Sequence, residues 1–351
     1  MKLKRTALVF LIFIIVLSFS LRAYSLMEPI NEVDPSEIKV QIEKGMTGRA
    51  IAEKLEAEGV IKSSTIFYLL LRFKGINNLQ AGYYSFSTSD TPLEIIDKLQ
   101  RGEEERFKVT IPEGFTLAEI LDRFAALERP QYERELLAAE INKQAAELEL
   151  ETSLEDSPLS IDQLYLAEGI IIPNTYNFPM SYQESDIAED LISYFKEERL
   201  PLIREAAESA DYSAYELLII ASLIEEEGKL AAENKIIASV IYNRLEQGMP
   251  LQLDATVQYA LPERTSRVLY RDLEIDSPYN TYQIEKLPPT PIASPGNQAL
   301  KAAINPAESD YLFYFARGDG SHIFTESYDE HLQKQRAVSY THLTLPTILR
   351  V

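Results

Sequence analysis

Cysteine is absent from this chain. That single absence removes disulfides, thiolate metal sites and cysteine nucleophiles. Tryptophan is absent too, and only three histidines occur, His322, His331 and His342. They lie near the C-terminus in no HExxH pattern, so a histidine-based zinc site is not expected and the reading requires no cofactor. Positive charge is scarce: 34 Lys and Arg stand against 55 Asp and Glu, a net charge of −21. A surface of that sign disfavours nucleic acid as a partner, and disfavours adhesion of the folded part to anionic lipid.

What is present describes a globular protein. Hydrophobic residues make up 46% and charged residues 25% of the chain, and 351 residues are more than one compact core usually serves. Tyrosine is frequent, with 20 copies. Its flat apolar face and hydroxyl suit sugar-binding clefts and folded cores alike.

The N-terminus places Lys2, Lys4 and Arg5 before an uncharged apolar run from Ala7 to Leu21. Arg22 can snorkel, and Ala23 to Met27 can lengthen the run toward a membrane span. No A-x-A cleavage site follows and no lipobox cysteine exists, so residues 1–27 are expected to be a cytoplasmic tip and uncleaved anchor rather than a removed signal peptide. The positive-inside rule then puts the remaining chain outside the cytoplasmic membrane.

Residues 28–37, polar with two prolines, read as a linker. An internal repeat follows within a region spanning 38–130. "VQIEKGMTGRAIAEKL" begins at Val40 and "VTIPEGFTLAEILDRF" at Val109. Val40/Val109, Ile42/Ile111, Gly45/Gly114, Thr47/Thr116 and Ile51/Ile120 match at one constant offset. Each copy predicts a short alternating strand, a glycine turn, a threonine N-cap and an amphipathic helix. Between them, residues 79–87 predict a strand, and "TPLEIIDKLQRGE" a helix starting near Thr91 and ending at Gly102. Residues 131–160 are acidic and read as a solvated helical connector. A second domain is expected over 161–337, and 338–351 form an atypical tail, expected to be truncated or artefactual and set aside from the fold. Strand and helix signals mix without a βαβ rhythm, which predicts an α+β fold.

Chemistry is suggested first by "ELLIIASLIEEEGK", residues 216–229. Ser213 and Glu216 form an S-x-x-E capping box, and Gly228 suits a C-terminal stop. The helix is apolar on every face, so it should be buried. Three glutamates at a helix C-terminus oppose the macrodipole. They are either a solvated end or a device for proton chemistry. Glu225 follows Leu223 and Ile224 directly; burial beside them raises a carboxyl pKa, as a general acid requires. A second helix ends at Gly248 with Asn243 and Arg244 beside its apolar stripe. In "MPLQLDATVQYAL", residues 249–261, Gln252, Asp254 and Thr256 alternate with apolar neighbours, as on one side of an extended segment. Residues 277–297 form a proline-rich loop bearing Ser277, Tyr279, Asn280, Thr281 and Tyr282, a semi-rigid wall suited to a hydroxyl-rich polymer or an ordinary connector. Residues 311–324 predict a hairpin turning at Gly318-Asp319-Gly320, with His322 on its second arm as a ligand contact or a structural histidine.

Taken in order, "AEGIIIPNTYNFP", "ASLIEEEG", "VIYNRLEQGMPLQLDATVQYAL", "SPYNTYQIEKLPPTPIASPGNQALKAAINP" and "DYLFYFARGDGSHIFTESYDEH" resemble the YceG-like family of endolytic murein transglycosylases over about Val40 to Arg336. The resemblance implies a membrane anchor, a LysM-like glycan-binding subdomain and a catalytic domain. It implies a catalytic glutamate at the first acid of A-S-[IL]-[IV]-E-x-E, here Glu225. The chain departs from the family pattern at Asn174, where aspartate is usual, and at Gly228, where threonine or alanine is usual.

The implied reaction cleaves the β-1,4 bond between N-acetylmuramic acid and N-acetylglucosamine in nascent peptidoglycan, leaving 1,6-anhydro ends and limiting strand length. Glu227, Gln252 and Asp254 are candidates for orienting the acid and the sugar. Tyr279, Asn280 and Tyr282 are candidates for gripping the glycan, with Asn243, Thr256, Ser277, Thr281 and His322 as supporting candidates. Partners implied are glycan strands, the cytoplasmic membrane and the peptidoglycan synthases of growth and division. Two rivals stand beside this reading: a hydrolase using a second carboxylate, Asp254 or Glu227, and a non-catalytic glycan-binding scaffold.

Overall fold

A computed structural model describes residues 2–128, 130–150, 166–263 and 267–344. The chain is α+β and divides into two units, Met1–Lys108 with Asn177–Tyr182, and Val109–Tyr176 with Gln183–Val351. The division falls between the two copies of the repeat, one copy in each unit.

The first unit begins with α1 (Lys2–Ser25), followed by β1 (Glu37–Ile42), α2 (Gly48–Ala57), α3 (Ser64–Lys74), β2 (Gly82–Ser87) and α4 (Pro92–Arg101). β1 and β2 pair antiparallel, with Val40 opposite Tyr84 and Ile38 opposite Phe86. Their inward faces and the apolar stripes of the helices enclose Ile51, Leu55, Phe67, Ile95 and Leu99, a core in which each fully buried side chain contributes roughly 1.5–3 kcal/mol. Among the described residues no helix is long and apolar enough to cross a membrane. The side chains of residues 1–9, 12, 16, 19 and 23, which carry much of the apolar N-terminal run, lie outside those described.

The repeat is structural. β1 and β3 (Arg106–Ile111) share one alternation of exposed and buried positions. Gly45 and Gly114 turn at φ +87° and +77°. Thr47 caps α2 by accepting from the Ala50 N–H, and Thr116 caps α5 (Leu117–Ala125) with Glu119 in a full capping box. Thr91 and Gly102 cap α4 at its two ends.

β4 (Asn174–Pro179), paired with β3, has its first half in the second unit and its second half in the first; the second unit also holds α6 (Arg134–Ala146), α7 (Glu184–Glu198), α8 (Leu200–Ala207), α9 (Ala214–Glu227) and α10 (Asn234–Glu246). Then follow α11 (Asp254–Ala260), α12 (Asn297–Ile304), the hairpin β5 (Phe313–Ala316) and β6 (His322–Thr325), and α13 (Tyr328–Thr344). α9 is the axis. Every residue from Leu217 to Ile224 is buried, and α8, α10, α11 and α12 pack around it. Ser213 and Glu216 form the expected capping box, but Gly228 ends the helix in extended backbone at φ −85°, not in a left-handed turn.

Three expectations are corrected. α6 is not simply solvated: Leu137, Ile141 and Ala145 are buried and the helix packs on α7, while residues 151–160 of the expected connector lie outside the described residues. The helix beginning near Tyr328 does not stop at 338 but continues to Thr344. Residues 254–260 are helical, not extended. Leu253, Thr256 and Val257 are buried, the i, i+3, i+4 spacing of one helical face, although the apolar residues Leu251, Leu253, Ala255, Val257 and Tyr259 alternate along the sequence as a strand would.

Candidate active site

The last turn of α9 sends two carboxylates in opposite directions. Residues two apart on a helix are rotated by roughly 200°, so Glu225 and Glu227 meet different surroundings.

Glu225 Oε2 accepts the backbone N–H of Gly296 at 2.9 Å. Nearby, Arg199 is 3% exposed and donates to Pro295 O at 2.6 Å and Asn297 Oδ1 at 3.4 Å. Glu113 comes to the same glycine: a Cβ on Gly296 would collide with its carboxylate, the far end of an exposed side chain. Burial raises the Glu225 pKa, the Gly296 bond lowers it, Glu113 raises it and Arg199 lowers it, with a net rise.

Glu227 turns toward a cavity of about 350 Å³. Gln252, Asp254, Tyr282, Tyr314 and His322 line that cavity with it. The Tyr314 hydroxyl donates to Glu227 Oε2 at 3.0 Å. Burial pushes the Glu227 pKa up. The Tyr314 bond opposes this, Asp254 adds to the rise, and the Ala255 N–H opposes it, as His322 does whenever its ring is charged, again with a net rise. Tyr282 donates to Asp254 Oδ1 at 2.6 Å. Gln252 holds φ +54°, uncommon for a side-chain-bearing residue. A cavity of this size lined by hydroxyls, amide, imidazole and carboxylates fits a small polar ligand or a sugar unit.

Other candidates act inside the chain. Asn243 donates to Ser309 O and Tyr311 O at 2.7 and 2.9 Å, anchoring the approach to β5. Asn280 donates to Leu273 O and Ile275 O, both at 2.9 Å. Thr281 accepts the Leu253 N–H at 3.0 Å and meets the Thr256 hydroxyl at 2.8 Å. The Thr281 bonds fasten the proline-rich loop to the start of α11, where Tyr282 reaches Asp254, while the Asn280 bonds tie it to the segment just before it. Ser277 and Tyr279 line a separate hollow of about 720 Å³. There Glu168, 1% exposed, accepts the Leu117 N–H and the Tyr259 hydroxyl. The side chain of His342 lies outside those described. Among the described residues no group of three or more His, Cys, Asp or Glu is arranged to hold a metal ion.

The residues that sequence reasoning missed are Glu113, Tyr314 and Glu233. Glu113 sat inside the repeat and Tyr314 inside the hairpin, where each read as part of a local pattern. Glu233 stands just before α10 and bonds His322.

Fold and site together define an α+β protein with a carboxylate-bearing cavity at the C-terminal end of a buried helix. The chain belongs to the YceG-like family, whose sequence profile matches residues 40–337. It is 33% identical over 314 residues to an endolytic murein transglycosylase of Bacillus subtilis, covering 88% of this chain and 86% of that one. A streptococcal protein of the same name, from Streptococcus pneumoniae, is 29% identical over 323 residues, and the match covers 86% of this chain and 58% of that protein. A crystal structure of a yceG-like protein from Listeria monocytogenes matches with a TM-score of 0.57 at 32% identity, covering 86% of this chain and all of that one.

Proposed function

We propose that this chain is an endolytic murein transglycosylase that cuts peptidoglycan strands internally, with Glu227 as its acid and base. The observation that carries the choice of Glu227 over Glu225 is the cavity: Glu227 lines it beside Gln252, Asp254, Tyr282 and His322, whereas Glu225 is engaged with Gly296 near Arg199. Protonated Glu227 gives its proton to the glycosidic oxygen as the C1–O bond breaks. The carboxylate then takes the proton of the muramic acid C6 hydroxyl, whose oxygen closes onto C1. The product is a 1,6-anhydro sugar, and no water is consumed. One carboxylate serves both steps because the substrate carries its own nucleophile. Asp254, held by Tyr282, stabilises positive charge developing on the ring.

Beyond the chemistry, the basic residues Lys2, Lys4 and Arg5 before the apolar run support a membrane anchor with the remaining chain extracytoplasmic. The strand–glycine–threonine–helix module of the first unit supports a LysM-like glycan-binding role, and placement at the membrane supports association with peptidoglycan synthases.

Digestion of purified peptidoglycan tests the reading. Wild type should release anhydro-ended fragments, Glu227→Gln should lose at least about a hundredfold in rate, and Glu225→Gln should retain cleavage. Loss confined to Glu225→Gln returns the acid role to Glu225. Products heavier by one water identify a hydrolase instead, full activity in both variants removes both glutamates from the acid role, and a wild type that binds strands without cutting them leaves the scaffold reading.

A further inference from the structure

His322 opens β6, and its ring is gripped from one side. Glu233 accepts the His322 backbone N–H at 3.1 and 3.2 Å, one oxygen each, and Oε2 stands 2.7 Å from the ring Nδ1. The two side chains are 7% and 15% exposed. Tyr314, the donor to Glu227, meets the imidazole edge-on with ring centroids 5.5 Å apart. His322 lines the cavity, and among the described residues no group of the chain bonds its Nε2.

A carboxylate this enclosed is costly to bury unless it is fully engaged. Glu233 spends both oxygens on one residue. A latch for the hairpin needs only the backbone bond. The third bond, to Nδ1, fixes which ring nitrogen carries the proton, since the partner of one imidazole nitrogen sets the state of the other.

We propose that Glu233 is a positioning residue: it holds His322 as the neutral Nδ1–H tautomer, so that Nε2 faces the cavity as a fixed acceptor for a sugar hydroxyl. This rests on the reading of the cavity as the glycan site. The acceptor supplies orientation without taking the proton that Glu227 handles, and its rigidity spares ordering cost on binding.

The full chain labelled with 15N-histidine tests this directly, since it holds three imidazoles and the His322→Ala spectrum assigns the relevant one. At pH 8 without substrate, His322 should show a protonated Nδ1 and a bare Nε2. A proton on Nε2, in the other tautomer or in the imidazolium, overturns the proposal, and this measurement requires no variant to fold. Affinity for intact glycan strands gives the second arm, measured in a Glu227→Gln background so that the strands are not cut. Glu233→Ala should weaken binding about five- to tenfold when His322 is present and should change nothing in a His322→Ala chain. An equal loss in both backgrounds makes Glu233 a hairpin latch and overturns the proposal. If the Glu227→Gln chain still cuts strands, the assignment of Glu227 fails instead, and the spectrum alone decides the role of Glu233.

Discussion

The Tyr314 hydroxyl reaches back 87 residues along the chain to donate to Glu227 Oε2 at 3.0 Å. Strand β5 thus delivers to the end of α9 a bond that favours the charged carboxylate, against the burial that favours the neutral acid. Glu227 is held between these two influences. The tyrosine itself stays protonated, because burial and the adjacent carboxylate both raise its pKa well above the usual value.

Removing the hydroxyl should shift that balance. In Tyr314→Phe the carboxylate loses a donor, so the Glu227 pKa rises further. The alkaline limb of kcat/KM for a general acid reports its protonated form in the free enzyme. That limb should move to higher pH in the variant. An unmoved limb, or one displaced to lower pH, disconnects Tyr314 from the titrating acid.

Glu227 should also cost stability above its unfolded pKa. A carboxyl whose folded pKa is raised stabilises the native state fully only below its unfolded value, near 4.3. That contribution is lost as pH climbs through the folded value. Glu227→Gln removes the penalty while keeping the shape. Its Tm should therefore exceed wild type by about 2–4 °C at pH 8, if the relieved penalty is on the order of 1 kcal/mol, and the gain should fade toward pH 4. Thermal melts across this range check both the sign and the window.

Much of the scaffold was legible because its signals are local. Thr47, Thr116 and Ser213 cap helices through bonds three residues away, and Leu217 to Ile224 announce a buried helix by themselves. The choice between Glu225 and Glu227 was not legible. The two differ by half a turn, and what each meets is set by residues distant in sequence: Gly296 for one, Tyr314 and Asp254 for the other. The helix at Asp254–Ala260 was missed because its apolar residues alternate along the sequence as a strand would. Asn280 and Thr281 have the chemistry of ligand contacts, yet their bonds go to loop and helix backbone. Residue type alone does not distinguish a polar group that grips a sugar from one that ties down a loop.

The proposed anchor makes a fractionation prediction. The full chain expressed in a bacterium should sediment with membranes and resist extraction by high salt, because burial of an apolar run is not screened as surface charge is. A chain lacking residues 1–27 should appear in the soluble fraction and still digest purified peptidoglycan. Salt-extractable full-length protein would remove the anchor from the reading while leaving the chemistry untouched.

Gly296 joins the two carboxylates that flank the other side of α9. Its φ of −74° is open to any residue, so an added methyl meets contact and not backbone strain. That contact is the Glu113 carboxylate. Gly296→Ala must swing the exposed Glu113 side chain aside and disturb the N–H that serves Glu225; because the obstacle is the free end of a flexible side chain, the cost should be small, about 0.5–1 kcal/mol. Replacing Glu113 by alanine removes the obstacle, so the double variant should recover part of the loss. Residues in contact couple by 0.5–3 kcal/mol in such cycles, roughly the range a denaturant titration of the four chains resolves. Strict additivity would mean that Glu113 does not crowd Gly296 in solution, and that glycine is needed there for some other reason.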